Sequence, residues 1–274
     1  MQKSAVDELG MLRHVTEAKR LQALQLVREG RLYELGRVLD ENAPVFPGRY
    51  FRQTLVTTAH HANSVTPVGD NDVTWITEVF SATTQLGTHL DTLGHLQMGQ
   101  RAYGGHTVSE LAGTSGLTRL GAETVPQIVT RGWLVDVAPL GPGEVIGLDA
   151  VAGIDPEPGD AVLFNTGWGA SWSDPDVYLW GEPGPGLRLA EWLADKGVAL
   201  TGCDTWSYGP VPAENAARPF EVPQRLNVEH GVFVVENLDL SELAGDGVRE
   251  FALVLTFPKL RGATGAWTSP IALV

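Results

Sequence analysis

The groups able to do chemistry are concentrated in one stretch, Gln85-Leu86-Gly87-Thr88-His89-Leu90-Asp91-Thr92-Leu93-Gly94-His95. On a helix, neighbouring side chains fall three or four positions apart, and His89, Asp91 and His95 would not share a face. On an extended segment the side-chain period is two, so Gln85, Gly87, His89, Asp91, Leu93 and His95 point one way. That row sets amide, imidazole, carboxylate and imidazole side by side, the donor set of a metal site or a proton-transfer site. Gly87 and Gly94 allow close backbone approach at the two bends. A lone His-x-Asp is more often a hydrogen-bonded pair at a strand end. The density of such groups here, in a chain with 7 histidines, favours a site.

Two further carboxylates follow apolar runs. Val232–Val235 reads as a buried strand ending on Glu236, and a charge placed there is costly unless paired or metal-bound. Val198–Gly202 reads as a strand delivering Asp204 at its end. Carboxylates at strand ends serve chemistry in α/β folds, and they serve equally as caps of turns and helices.

The motif Gln-x-Gly-Thr-His-x-Asp-x-x-x-His resembles the His-x-Gly-Thr-His-x-Asp-x-x-x-His signature of the cyclase-like metal hydrolases, which include kynurenine formamidases and isatin hydrolases. The resemblance runs through Gly159-Asp160-Ala161-Val162-Leu163, Thr166-Gly167-Trp168 and Gly202-Cys203-Asp204-Thr205, and covers about residues 31–274. It implies a single α/β domain of the mixed-sheet, swivelling β/β/α type behind an N-terminal helical extension, residues 1–30. His89 and Asp91 fall on metal ligands, Glu236 on a metal-binding glutamate, and His95 on the histidine that acts as acid or base. Gln85 stands where the family has a metal-binding histidine. Pro223 and Gln224 occupy the region of another. Gln85 and Gln224 are then weaker carbonyl ligands, which suit harder ions such as Mn²⁺ better than Zn²⁺.

The implied function is hydrolysis of a small amide, formamide, lactam or lactone, a C–N hydrolase in the first instance, with one divalent ion (Mn or Zn) lowering the pKa of bound water. His95 would move the proton to the leaving atom, with Asp204 as its catalytic partner candidate. Trp75, Tyr103, Trp168 and Trp206 are the candidates for holding a planar substrate, although tryptophans more often serve the core. The alternatives are a metal-free binding protein or pseudoenzyme that keeps the fold, and a metal-independent lyase or cyclase working through His95 and Asp204.

These groups need elements to position them. A length of 274 residues with 43% hydrophobic content fits one large α/β domain. The net charge of −14 argues against nucleic acid and anionic membrane as partners; the small-molecule substrate is what the resemblance implies. The N-terminus carries no signal-type apolar region, so a cytoplasmic location is expected. The one cysteine, Cys203, excludes an intramolecular disulfide and reads as buried and inert. Met1 to about Glu29 reads as a helical arm stopped by Gly30. Such an arm often packs on a second subunit, which points to a homodimer or homotetramer. Strands are expected at Phe51–Thr58, Trp75–Ser81, Gly132–Val137, Ala161–Asn165 and Glu250–Phe257. A helix is expected over Gly186–Lys196, opened by Pro185, with Leu187, Ala190, Leu193 and Ala194 inward. His60 and His61 face opposite ways on any strand and read as surface loop.

Overall fold

The computed structural model describes residues 8–57, 69–73 and 75–274. The pair His60–His61 lies outside the described residues. The strands are β1 (Leu32–Glu34), β2 (Phe51–Thr57), β3 (Thr77–Ala82), β4 (His89–Asp91), β5 (Ile128–Asp136), β6 (Ala161–Asn165), β7 (Leu200–Cys203), β8 (Phe233–Glu236), β9 (Glu250–Leu255), β10 (Gly265–Trp267) and β11 (Ile271–Leu273). Nine of them form one mixed sheet in the order β1-β11-β9-β5-β6-β7-β8-β4-β10. The central four, β5 to β8, run parallel; every pairing outside them is antiparallel. Strands β2 and β3 pair only with each other, in an exposed hairpin. The architecture is a single α/β domain with a large mixed sheet.

Parallel strands are covered on both faces, so their sequences are apolar throughout instead of alternating. Every residue of β6, β7 and β8 is buried. Val162, Phe164 and Val234 join one core with Leu189, Ala190, Leu193 and Ala194 of helix α2 (Leu187–Asp195). Leu163, Phe233 and Val235 face the other core, which Leu12 and Val15 of the N-terminal segment help to close. Helix α2 begins one residue later than its sequence suggests. Pro185 is held in a short strand opposite Ile146, and Gly186 is the N-cap. That shift leaves Leu187 half-buried and puts Leu189 inside.

The N-terminal segment is not one long helix among the described residues. A 3₁₀ turn at Gly10–His14 is followed by α1 (Glu17–Leu24), capped by Thr16, whose side chain accepts from Lys19 N at 3.2 Å. The segment packs on this chain's own sheet, against β5 and β9. Lys19, 7% exposed, sets its Nζ 2.7 Å from Asp160, which is 0% exposed. The other carboxylate oxygen of Asp160 accepts from Arg131 at 2.6 and 2.9 Å and from Trp133 Nε1 at 3.1 Å. Among the described residues, no helix is long and apolar enough to cross a membrane.

Removing one member of a buried ion pair strands the other. Lys19→Met keeps the stem of the side chain and deletes the charge, leaving Arg131 as the cation on Asp160 beside Trp133 Nε1 and the Glu157 N–H. Because Arg131 stays in place, the expected loss is that of one charged hydrogen bond, about 2 kcal/mol, read from the midpoint of denaturant unfolding at unchanged slope. An unchanged midpoint would show that Arg131 and Trp133 satisfy Asp160 unaided.

Candidate metal and proton-transfer site

Register, more than sequence proximity, assembles the site. His89 and Asp91 are separated by two on β4 and therefore share a face. Strand β8 pairs antiparallel with β4 so that Glu236 lies directly opposite His89, and Val234 opposite Asp91. Directly opposed residues share a face as well, which brings imidazole and both carboxylates together. One ligand atom from each of His89, Asp91 and Glu236 lies within 4.8 Å of the others. The extended row expected from Gln85 to His95 is shorter than the spacing suggests, since β4 holds only His89–Asp91. Gly87, at φ +57, bends the chain before it, where a Cβ would stand 2.1 Å from Leu39 Cδ2. Beyond β4, a turn closed by His95 N to Thr92 O at 3.0 Å carries His95 back towards Asp91. His95 Nε2 then lies 3.9 Å from Asp91 Oδ2.

All three converging groups are buried. His89 Nδ1 is 2.7 Å from the carbonyl oxygen of Gly87. A carbonyl only accepts, so Nδ1 carries the proton and Nε2 presents its lone pair in the neutral ring. Nε2 lies 3.4 Å from Asp91 Oδ1 and 3.3 Å from Glu236 Oε2. Neither contact has hydrogen-bond geometry, and His89 Nε2 and Asp91 Oδ1 are buried without a hydrogen-bond partner. Three acceptors pointed at one place repel one another unless a cation sits among them. Ligand atoms about 2.1 Å from one tetrahedral ion stand about 3.4 Å apart, so the observed spacing fits a divalent metal.

Without a metal the proton takes that place. Burial by itself lowers the His89 imidazole, but Asp91 and Glu236 outweigh it and push it up to about 10. For Asp91, burial opposes ionisation, and the positive partners His95, His89 and Arg49 hold the carboxyl below its usual range. Burial and the neighbouring Asp91 charge raise Glu236.

The site opens into a cavity of about 120 Å³ bounded by Asp91, Glu236, His95, Leu96, Arg49, Phe46, Trp206, Ser207, Phe220 and Pro223. Phe46, Trp206 and Phe220 pack on one another, with ring centroids 5.4, 6.1 and 6.5 Å apart. Arg49 lies 5.5 Å over the Phe46 ring and donates from Nη1 to Gln85 O at 2.7 Å.

Of the residues expected from sequence, His89, Asp91, Glu236, His95 and Trp206 come together here. The others do not reach the cavity. The Gln85 amide donates to Thr264 Oγ1 at 2.9 Å and accepts from Thr84 Oγ1 at 3.0 Å. It occupies space left by Gly265, which lies opposite Asp91 and whose Cβ would stand 2.5 Å from Gln85 Nε2. Gln224 donates to Gln97 O at 2.7 Å. Asp204 is a capping carboxylate. Its Oδ1 accepts from Thr166 N and Oγ1 at 2.9 and 2.6 Å, its Oδ2 from Gly169 N at 3.1 Å, and it borders a separate pocket beside Arg37 and Asp239. Burial raises its carboxyl, and Thr166 and Gly169 offset part of that rise. Trp168 donates its Nε1 to Tyr178 O at 3.0 Å. Tyr103 packs against Gly231, and Trp75 is 52% exposed ahead of β3. Sequence reasoning missed Phe46, Arg49, Ser207 and Phe220, which reach the site from loops without periodic pattern.

The Cyclase family profile matches residues 33–210, and the chain belongs to that family. Its fold is similar to a solved structure described as a novel cyclase, with TM-score 0.88 and 26% identity over 98% of this chain and 94% of that one. Isatin hydrolase A from Ralstonia solanacearum has TM-score 0.69 and 18% identity over 94% of this chain and 97% of its own. A predicted metal-dependent hydrolase from Bacillus stearothermophilus has TM-score 0.61 and 20% identity over 89% and 98%. No curated protein matches the chain.

The elevated His89 value sets a pH dependence for the metal-free protein. The folded value near 10 lies above the ordinary 6.5. The stability it contributes is therefore complete below about 6.5 and is lost as pH rises towards 10. Thermal unfolding in chelator should show the melting temperature falling across that window in the wild type and a flatter profile in His89→Gln. Parallel profiles would place the effect elsewhere.

Proposed function

We propose that the chain is a hydrolase of a small amide, formamide, lactam or lactone, dependent on one divalent ion, Mn²⁺ or Zn²⁺, held by His89, Asp91 and Glu236. The observation that carries this reading is the convergence of buried, unpartnered His89 Nε2 and Asp91 Oδ1 with the Glu236 carboxylate. The solved relatives named as hydrolases, one of them as metal-dependent, support it at the level of class.

A divalent ion in such a site polarises a carbonyl and brings the pKa of water towards neutrality. The chain's own residues supply the rest. Asp91 has one oxygen in the ligand set and the other towards His95 Nε2 at 3.9 Å, which holds that imidazole at the cavity wall. His95 takes at Nε2 the proton released by the attacking water and passes it to the leaving nitrogen or oxygen, the step a histidine is suited to near neutral pH. Arg49 borders the same cavity; its charge adds to the lowering of Asp91 and offsets part of the burial-driven rise of Glu236. Phe46, Trp206 and Phe220 keep water out and give a planar substrate faces to lie against. A cavity of about 120 Å³ limits the substrate to a small molecule.

The test is hydrolysis of formanilide, 2-pyrrolidinone and γ-butyrolactone by protein stripped with chelator and then reloaded with Mn²⁺ or Zn²⁺. Turnover of at least one of them should require the ion. His95→Ala should cut kcat by about 10²–10⁴-fold with an unchanged circular dichroism spectrum. Turnover that survives chelation, or full activity in His95→Ala, would overturn the reading.

A further inference from the structure

Trp206 differs from the other two aromatics of the cavity. It is 8% exposed, whereas Phe46 and Phe220 are 37% and 38% exposed. Its indole Nε1 is buried and has no hydrogen-bond partner among the described residues. Folded proteins rarely leave a buried donor unpaired, and an exception calls for an explanation such as a ligand.

The surrounding structure fixes this residue in advance. Glu182, fully buried, accepts from the backbone N–H of Trp206 at 2.8 Å and of Ser207 at 3.1 Å, both through Oε2. Its Oε1 accepts from the Ser207 hydroxyl. Glu182 is itself tied to the far end of the same loop, donating to Val211 O at 2.9 Å and accepting from Val211 N at 2.8 Å. Thr205 Oγ1 donates to Ser207 O at 2.7 Å, closing the near end. Phe46 and Phe220 pack against the indole ring. Among the described residues no cation pairs with Glu182. A buried carboxylate committed to orienting two residues of a cavity wall makes sense if the orientation matters.

We propose that the Trp206 Nε1–H donates a hydrogen bond to an oxygen of the substrate, and that Glu182 is the positioning residue that holds it there. This rests on the hydrolase reading and names the group of this chain that meets the substrate's oxygen. The substrate carries an acceptor oxygen, carbonyl or carboxylate, on a ring small enough for the cavity. A one-ring compound without such an oxygen gains nothing from Trp206 beyond packing.

Binding to the metal-free protein tests this without requiring turnover. Calorimetric titration with benzamide, an aryl carbonyl, and with aniline, which lacks a carbonyl, separates donor from packing. Trp206→Phe should weaken benzamide about tenfold and leave aniline unchanged. Glu182→Leu should weaken benzamide similarly, and Glu182→Gln should restore it, because an amide oxygen accepts the same two backbone N–H groups. Equal benzamide affinity in Trp206→Phe, equal weakening of both probes, or no benzamide binding to the wild type would overturn the proposal. Should Glu182→Leu fail to fold, Trp206→Phe decides alone. Absence of hydrolysis in every metal-loaded form, with the binding pattern intact, would count against the hydrolase reading and not against the Trp206 contact.

Discussion

Three acceptors share one small volume because two short strands meet in one register. Glu236 opposes His89, and Asp91 stands two residues along from it. A slip of one residue between β4 and β8 would turn a ligand to the other face of the sheet. Burying two carboxylates beside an imidazole costs several kcal/mol per charge unless something positive is placed among them. The protein offers Arg49 at the cavity wall and His95 at its edge, and leaves His89 Nε2 and Asp91 Oδ1 without partners. The sheet edge beside β4 is built around this demand. Gly265 gives up its side chain to admit Gln85, and the bend at Gly87 turns its carbonyl to fix the His89 tautomer.

The site also sits where an α/β sheet places chemistry, past the carboxyl ends of parallel strands. Strand β8 ends on Glu236. Strand β7 ends just before the loop that carries Trp206 and Ser207. Asn237 donates its backbone N–H to Thr205 O at 2.8 Å, and Thr88 Oγ1 donates to Asn237 O at 2.7 Å. The neighbours of Glu236, Trp206 and His89 are thus bonded to one another, and ligands and cavity wall share one rigid frame. Asp204 belongs to that frame as a cap of the β6 exit, through Thr166 and Gly169.

Much of this was readable from the chain alone. The apolar runs that become β6, β7 and β8 are buried on both faces, which is why they read as strands without alternation. His89, Asp91, His95 and Glu236 were legible because polar groups in such surroundings need a reason. Asp204 satisfied the same rule for another reason, since a capping carboxylate and a catalytic one look alike at a strand end. Gln85 and Gln224 carried the right atoms, but neither lines the cavity, and their amide N–H groups donate to Thr264 and Gln97. Trp75, Tyr103 and Trp168 do not line the cavity. Phe46, Arg49, Phe220 and Glu182 left no signal because loops without period bring them in, and their value is set by tertiary contact. The N-terminal arm shows the same limit. Its helix was legible, but the buried pairing of Lys19 with Asp160 was not.

The central claim is that His89, Asp91 and Glu236 hold one metal ion. Elemental analysis of protein incubated with Mn²⁺ or Zn²⁺ and freed of excess ion, compared with Asp91→Ala, tests it most directly. The account predicts about one ion per chain in the wild type and none in the variant. No bound ion in the wild type, or equal loading of the variant, would contradict it.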